Sequence, residues 1–188
     1  VPTDGSTKPR QITHSSGTET GLSWSPDSHK LAFTAKREGD EVNQAYVMDL
    51  VTGGEAIRVT SLSTAVSSPR WSPDGKSLLF VSAVFPGAAN DDANKKIAAE
   101  RKAQKYKARV YEGFPIRRWD KWLDDTQVHL FIQPLEPAAE AKDLLADAKL
   151  VTEPGYSGKS ADSGEDLEAI WAPDGQSIVF TATTTRNT

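Results

Sequence analysis

One ten-residue stretch occurs three times in this chain, as Trp24-Ser-Pro-Asp-Ser-His-Lys-Leu-Ala-Phe33, Trp71-Ser-Pro-Asp-Gly-Lys-Ser-Leu-Leu-Phe80 and Trp171-Ala-Pro-Asp-Gly-Gln-Ser-Ile-Val-Phe180. Copies of one motif fold alike and stack, so the chain has a repeat architecture. Trp24 to Trp71 is 47 residues and Trp71 to Trp171 is 100. A period of roughly 40 to 50 residues, filled by a few short strands, is that of β-propeller blades.

Each copy carries its own hairpin instructions. Pro26, Pro73 and Pro173 preset φ, Asp27, Asp74 and Asp174 cap the turn through a side-chain oxygen, and Gly75 and Gly175 supply a left-handed position. The first copy has Ser28 at that place, so its turn must tolerate a side chain or change type. Beyond the turn, Leu31/Phe33, Leu78/Phe80 and Ile178/Phe180 alternate with their neighbours, which predicts one apolar strand face packed between blades. Trp24, Trp71 and Trp171 are expected to cover the same interface.

The outer strands align as well. Ala45-Tyr-Val-Met-Asp-Leu50 followed by Ala56-Ile-Arg-Val-Thr60 matches Leu130-Phe-Ile-Gln-Pro-Leu135 followed by Ala148-Lys-Leu-Val-Thr152. Phe33 to Tyr46 is 13 residues and Phe80 to Phe131 is 51, so 38 residues are inserted in the second unit. A rival count, in which Trp119 opens a hidden blade, lacks the Pro-Asp-Gly turn and the Leu-x-Phe after it. Lys8 to Thr13 reads as the last strand of a preceding blade, and Ile178 to Thr185 as the end of an unfinished third.

The reading is therefore all-β: a partial β-propeller of about two and a half to three blades, with a helical insertion at 84–127 in the second blade. Residues 1–188 are expected to be a fragment of a larger propeller that associates through open edges when expressed alone.

Composition excludes several classes. The chain is 37% hydrophobic and 26% charged, with no apolar run near the 18 residues of a membrane helix. Without cysteine there is no disulfide and no thiol catalysis. A net charge of −4 argues against a nucleic-acid footprint over the whole surface. His14, His29 and His129 are scattered, Asp91-Asp92 and Asp124-Asp125 lack calcium-loop spacing, and no functional metal or other cofactor is expected. His129 reads as a satisfied structural histidine.

Within the insertion, Asn90 or Asp91 caps a predicted helix through Tyr106, with early acids and late bases that suit the helix dipole. From Asp91 to Arg109 there are seven basic and three acidic residues, a local +4, read as a solvated helix or a patch for an anionic partner. Arg117, Arg118, Trp119, Asp120, Trp122 and Asp124 follow. Such residues on a connecting segment either pin it to the blade or project toward a ligand: paired arginines suit a carboxylate, and tryptophans suit an apolar pocket wall.

With its Trp-Ser-Pro-Asp-Gly blades, long basic insertion, Arg117-Arg-Trp-Asp-Lys-Trp-Leu-Asp-Asp125 and His129-Leu-Phe131, the chain resembles the N-terminal propeller of prolyl oligopeptidase family serine peptidases, in the acylaminoacyl and dipeptidyl peptidase branch. The resemblance implies a C-terminal α/β-hydrolase domain carrying a Ser-Asp-His triad, for which the propeller gates short peptide substrates. It places Arg117, Arg118, Trp119, Asp120, Trp122 and Asp124 on the substrate-facing or interdomain side. No catalytic residue is expected within 1–188. The nearest match to a Gly-x-Ser-x-Gly elbow, Gly155-Tyr-Ser157-Gly-Lys159, ends in Lys, and Ser157 reads as a loop residue. The expected partners are the chain's own hydrolase domain and peptides, with neither nucleic acid nor membrane, and homo-oligomerisation stays open. The compartment is cytoplasmic or periplasmic/secreted. The alternative is a non-catalytic TolB-like propeller that binds proteins, against which the insertion speaks.

Overall fold

A computed structural model describes residues 3–15, 17–105, 117–118, 121–122, 126–153, 155–158 and 167–184. Blade one is a four-stranded antiparallel sheet of β1 (Thr20–Trp24), β2 (Lys30–Ala35), β3 (Gln44–Asp49) and β4 (Ile57–Arg58), in that order. Blade two begins with β5 (Val66–Trp71) and β6 (Ser77–Val84). The chain then leaves the sheet through helix α1 (Asp91–Ala103) and a short pair, β7 (Arg117–Arg118) and β8 (Lys121–Trp122). It returns as β9 (Gln127–Pro134) and β10 (Lys142–Asp143), giving the sheet order β10-β9-β6-β5. β6 pairs with β9 without a break from Ser77↔Pro134 to Val84↔Gln127, so the second unit is a single sheet with the excursion between its middle strands. A hairpin of β11 (Ala169–Trp171) and β12 (Ile178–Phe180) opens the third blade.

The repeated turn is built alike each time. In blade one, Ser28 N donates to Ser25 O and Ser25 N to Lys30 O, both at 2.9 Å. Asp27 Oδ1 accepts from Ser25 Oγ at 2.6 Å and His29 N at 3.0 Å, while Ser25 Oγ accepts from Lys30 N at 2.8 Å. Ser72, Asp74, Lys76 and Ser77 repeat this clasp in blade two. The third copy has Ala172 in place of the serine and keeps only the Asp174 cap, on Gln176 N at 2.9 Å. Ser28 keeps the turn type and takes φ 61, beside 70 for Gly75 and Gly175.

Two apolar layers run between blades. Ala32 and Ala45 of blade one meet Val66, Trp71, Leu78, Phe80 and Phe131 of blade two. On its other side, blade two packs Leu79, Val81, Val128 and Leu130 against Trp171, Ile178 and Phe180. β6 lies between blade one and the third hairpin and is apolar on both faces, so the expected one-sided alternation fails there; in β2 it fails because Phe33 and Ala35 pack with Tyr46 and Met48 of the same blade. In each complete blade the phenylalanine ending the motif stacks on the aromatic opposite it. Phe33 lies 6.0 Å from Tyr46 and Phe80 lies 5.6 Å from Phe131, centroid to centroid. Arg37 covers the first pair, 5.4 and 4.7 Å from the two rings.

Three expectations are corrected. Trp24 is 59% exposed where Trp71 is 7%, because each motif tryptophan turns toward the blade before its own and no described blade precedes β1. Lys8–Thr13 forms no strand, since a strand exists only through a partner and none among the described residues lies beside this segment. The outer strand of blade two is Lys142–Asp143, and Lys149–Thr152 is a 3-10 turn. The earlier segment takes the edge because Asp143 is bonded to His129 and Leu144 N donates to Leu130 O at 2.8 Å.

Candidate functional site

The excursion of blade two is fixed where it leaves the sheet. Asn90 caps α1, its Oδ1 accepting from Ala93 N at 2.9 Å. Asp91 accepts from Ser63 N at 3.0 Å and Ser63 Oγ at 2.7 Å, which ties the helix start to blade one. The buried Asn94 accepts from Phe85 N at 2.8 Å and donates to Ala83 O at 3.3 Å, extending the ladder of β6 into the helix. Arg101 lies 4.4 Å from the Phe85 ring centroid, and Ala93 and Ile97 turn inward.

Beside the helix start, a groove of about 890 Å³ opens between the outer parts of blades one and two. Its walls come from Thr60–Leu62 on one side, Phe131, Gln133 and Lys142–Asp143 on the other, and Asn90–Asp92 at one end. Asp91, Asp92, Glu140, Asp143 and Asp147 face Arg58 and Lys142 there, a lining that favours a cationic group over an anionic one. Among the described residues, no group of three His, Cys, Asp or Glu side chains is placed to hold a metal ion. A second groove, of about 600 Å³, lies between the Ser72–Ser77 turn, Leu130 and Leu145 on blade two and Trp171, Asp174 and Phe180.

Both sheets carry a polar pin at the same register, two residues before the stacked aromatic. Gln44 is buried; its Oε1 accepts from Thr60 Oγ1 at 2.8 Å and Leu62 N at 3.2 Å, and its Nε2 donates to Leu62 O at 2.8 Å. His129 takes that place in blade two, 4% exposed, with Nδ1 2.7 Å from Asp143 Oδ2. Its Nε2 is buried and finds no partner among the described residues. The Tyr156 ring lies edge-on to His129, and its hydroxyl donates to Val128 O at 2.8 Å. Burial, then the Asp143 charge, raises the pKa of that hydroxyl. In blade one, Tyr46 is pushed up to about 12 by burial and by its 2.5 Å hydrogen bond to Asp40. Asp40 is driven up by burial but held below the usual range by Tyr46, Arg37 N and Arg58.

The segment resembling a nucleophile elbow serves structure. Ser157 is buried, its carbonyl accepts from Val128 N at 3.0 Å, and Gly158 takes φ +65 so close to Val128 that a Cβ would lie 2.2 Å from its carbonyl oxygen. Of the six expected substrate-facing residues, Arg117 stands opposite Trp122 in the β7–β8 pair, and Arg118 opposite Lys121. Trp119, Asp120 and Asp124 lie outside the described residues. Sequence reasoning read His129 as a structural histidine but missed the groove and the Gln44 pin; a polar residue two before the aromatic in both repeats was the one signal for that shared register. His14 and His29 are exposed.

Residues 3–107, more than half of the chain, match the PD40 family, the TolB beta propeller domain. The chain belongs to this family. This TolB-type propeller is 31% identical over 173 residues to the uncharacterized peptidase YuxL of Bacillus subtilis, covering 92% of the chain and 23% of that protein. It is 28% identical over 169 residues to dipeptidyl-peptidase 5 of Porphyromonas endodontalis, covering 87% of the chain and 22% of that protein. The propeller chain thus spans less than a quarter of the length of these curated relatives. Among solved structures it is similar to TolB from Acinetobacter baumannii, at 22% identity and TM-score 0.48 over 96% of this chain and 30% of that one. It is also similar to acylaminoacyl peptidase from Pyrococcus horikoshii, at 18% identity and TM-score 0.49 over 95% of this chain and 22% of that one.

Proposed function

We propose that this propeller is the substrate-gating part of a prolyl oligopeptidase family serine peptidase that hydrolyses short peptides, of dipeptidyl or acylaminoacyl peptidase type. The observation that carries the reading is the 31% identity to a protein named a peptidase, running through 92% of the chain and so through the basic insertion as well as the blades. In this reading the propeller's own partner is a C-terminal α/β-hydrolase domain. There a serine attacks the scissile carbonyl, a histidine moves the proton, and an aspartate orients that histidine. The propeller controls access: a rigid stack of sheets admits peptides of limited size and turns away folded proteins. Arg117, Arg118 and Trp122, with Trp119, Asp120 and Asp124 beside them in sequence, are the proposed substrate-facing or interdomain residues.

The test is fluorophosphonate labelling of the full-length gene product, read by intact mass and peptide mapping. One adduct on a serine beyond residue 188 is the expected result. A folded protein that takes no adduct overturns the peptidase reading. It would favour the second one, a non-catalytic protein-binding propeller, for which the family match to the TolB domain speaks.

A further inference from the structure

The groove between blades one and two carries more negative charge than its walls neutralise. Of its seven charged side chains, five are acidic and two basic. Arg58 is bonded to the buried Asp40 at 3.0 Å and to Thr60 O at 2.8 Å, so its charge is already met within blade one. Asp91 is held by Ser63, and Asp143 by Leu145 N and His129. Asp92, Glu140 and Asp147 take no hydrogen bond or ion pair from any described residue.

Acidic residues alone would amount to solvated surface, but this cleft also presents a buried acceptor. Gln133 lines it from β9 and is 4% exposed. Its Nε2 donates to Pro134 O at 2.9 Å and Ala139 O at 2.8 Å, while its Oε1 accepts from no described residue. Unlike the sealed, orphaned nitrogens of His129 and Trp171, that oxygen stays open, and the groove is the space its side chain lines. An amide fixed through its nitrogen is a standing acceptor that an N–H donor completes.

We propose that this groove binds a linear aliphatic polyamine, a chain of ammonium groups separated by methylenes. Five acidic side chains line one cleft, yet among the described residues no three converge as they would on a metal ion. The negative charge is thus spread along the cleft, which suits a cation whose own charges are spread along a chain. Leu62, Val84 and Ala141 line the same cleft and suit the methylenes. The volume, about 890 Å³, lies in the range of small-ligand sites, whereas a protein partner needs a broad contact area. Both walls belong to the described blades, so the inference does not rest on the peptidase reading.

Isothermal titration calorimetry of spermine into the intact gene product tests it, with putrescine, magnesium chloride and a tetralysine peptide run alongside. Spermine binding that exceeds putrescine binding and falls roughly tenfold in the Glu140→Gln, Asp147→Asn double variant, at unchanged melting temperature, is the expected result. The Glu38→Gln, Glu41→Gln pair removes the same charge outside the groove and leaves the affinity as it was. Asp92→Asn gives a smaller loss in the same direction should the first pair disturb folding. No saturable spermine binding, an equal loss in the two double variants, no loss in the groove variants, or tighter binding of magnesium or tetralysine than of spermine each overturns the proposal.

Discussion

The indole Nε1 of Trp71 donates to the carbonyl oxygen of Ser23 at 2.9 Å, so the first residue of one motif is bonded to the inner strand of the blade before it. The bond satisfies a donor that the packed layer would otherwise bury unpaired. In the third copy, Trp171 Nε1 is buried without an acceptor among the described residues. Trp71→Phe keeps most of the apolar contact and removes the bond, which costs about 1–2 kcal/mol in urea unfolding. Trp71→Ala also opens a cavity and costs about 3–5 kcal/mol.

Ser28 and Gly75 occupy the same left-handed turn position, and only the glycine takes it without strain. Ser28→Gly raises stability by about 0.5–1 kcal/mol, and Gly75→Ser lowers it by a similar or larger amount. Melting temperatures of the two single variants, moving in opposite directions, check this.

The third clasp can be completed. Ala172→Ser places a hydroxyl where Ser25 and Ser72 have theirs, within reach of Asp174 Oδ1 and Ser177 N. The gain is about 0.5–1.5 kcal/mol, and it vanishes in an Asp174→Ala background, which a double-mutant cycle reads directly.

Acid weakens the two complete clasps. The Ser25 hydroxyl, then the His29 amide, holds the Asp27 carboxyl below its usual range, as the Ser72 hydroxyl and Lys76 amide do for Asp74. A carboxylate with a depressed folded pKa contributes stability that is fully present above the unfolded value near 3.8 and is lost as pH falls through the folded one. The Asp27→Asn, Asp74→Asn double variant therefore shows a shallower loss of stability below pH 3.8 than the unaltered protein, with denaturant midpoints against pH as the measurement.

Gly158 lies against Val128 in a conformation and at a distance that only glycine permits. Gly158→Ala forces backbone apart where β9 begins and costs more than about 2 kcal/mol. Ser157→Ala leaves the carbonyl that holds Val128 N in place and changes stability far less, as chemical denaturation of both variants will show.

Repetition made the blades legible. Three copies of one turn motif named three hairpins, and aligning Tyr46 with Phe131 located the third strands, because a stacked aromatic pair recurs at that register. Where the structure departs from the reading, the deciding contacts are distant in sequence. The outer edge of blade two goes to Lys142–Asp143 through a bond to His129, which no local pattern announces. Leu79 and Val81 are buried as fully as Leu78 and Phe80 because a third blade covers them, and periodicity within one strand does not report a neighbour on each side. The groove draws residues from Arg58 to Asp147, so only the assembled blades define it.

The interruption between β6 and β9 also sets an order of assembly. In blade one, Ala35 and Gln44 pair across 8 intervening residues; in blade two, Val84 and Gln127 pair across 42. Closing the longer loop costs about 1.5 kcal/mol more in chain entropy, and non-local pairings slow the search for the native state. Blade one therefore zips first from adjacent hairpins and presents Ala32 and Ala45 as a finished template. The central pairing of blade two is nucleated late, on that surface, and its closure paces the folding of everything that packs beyond it.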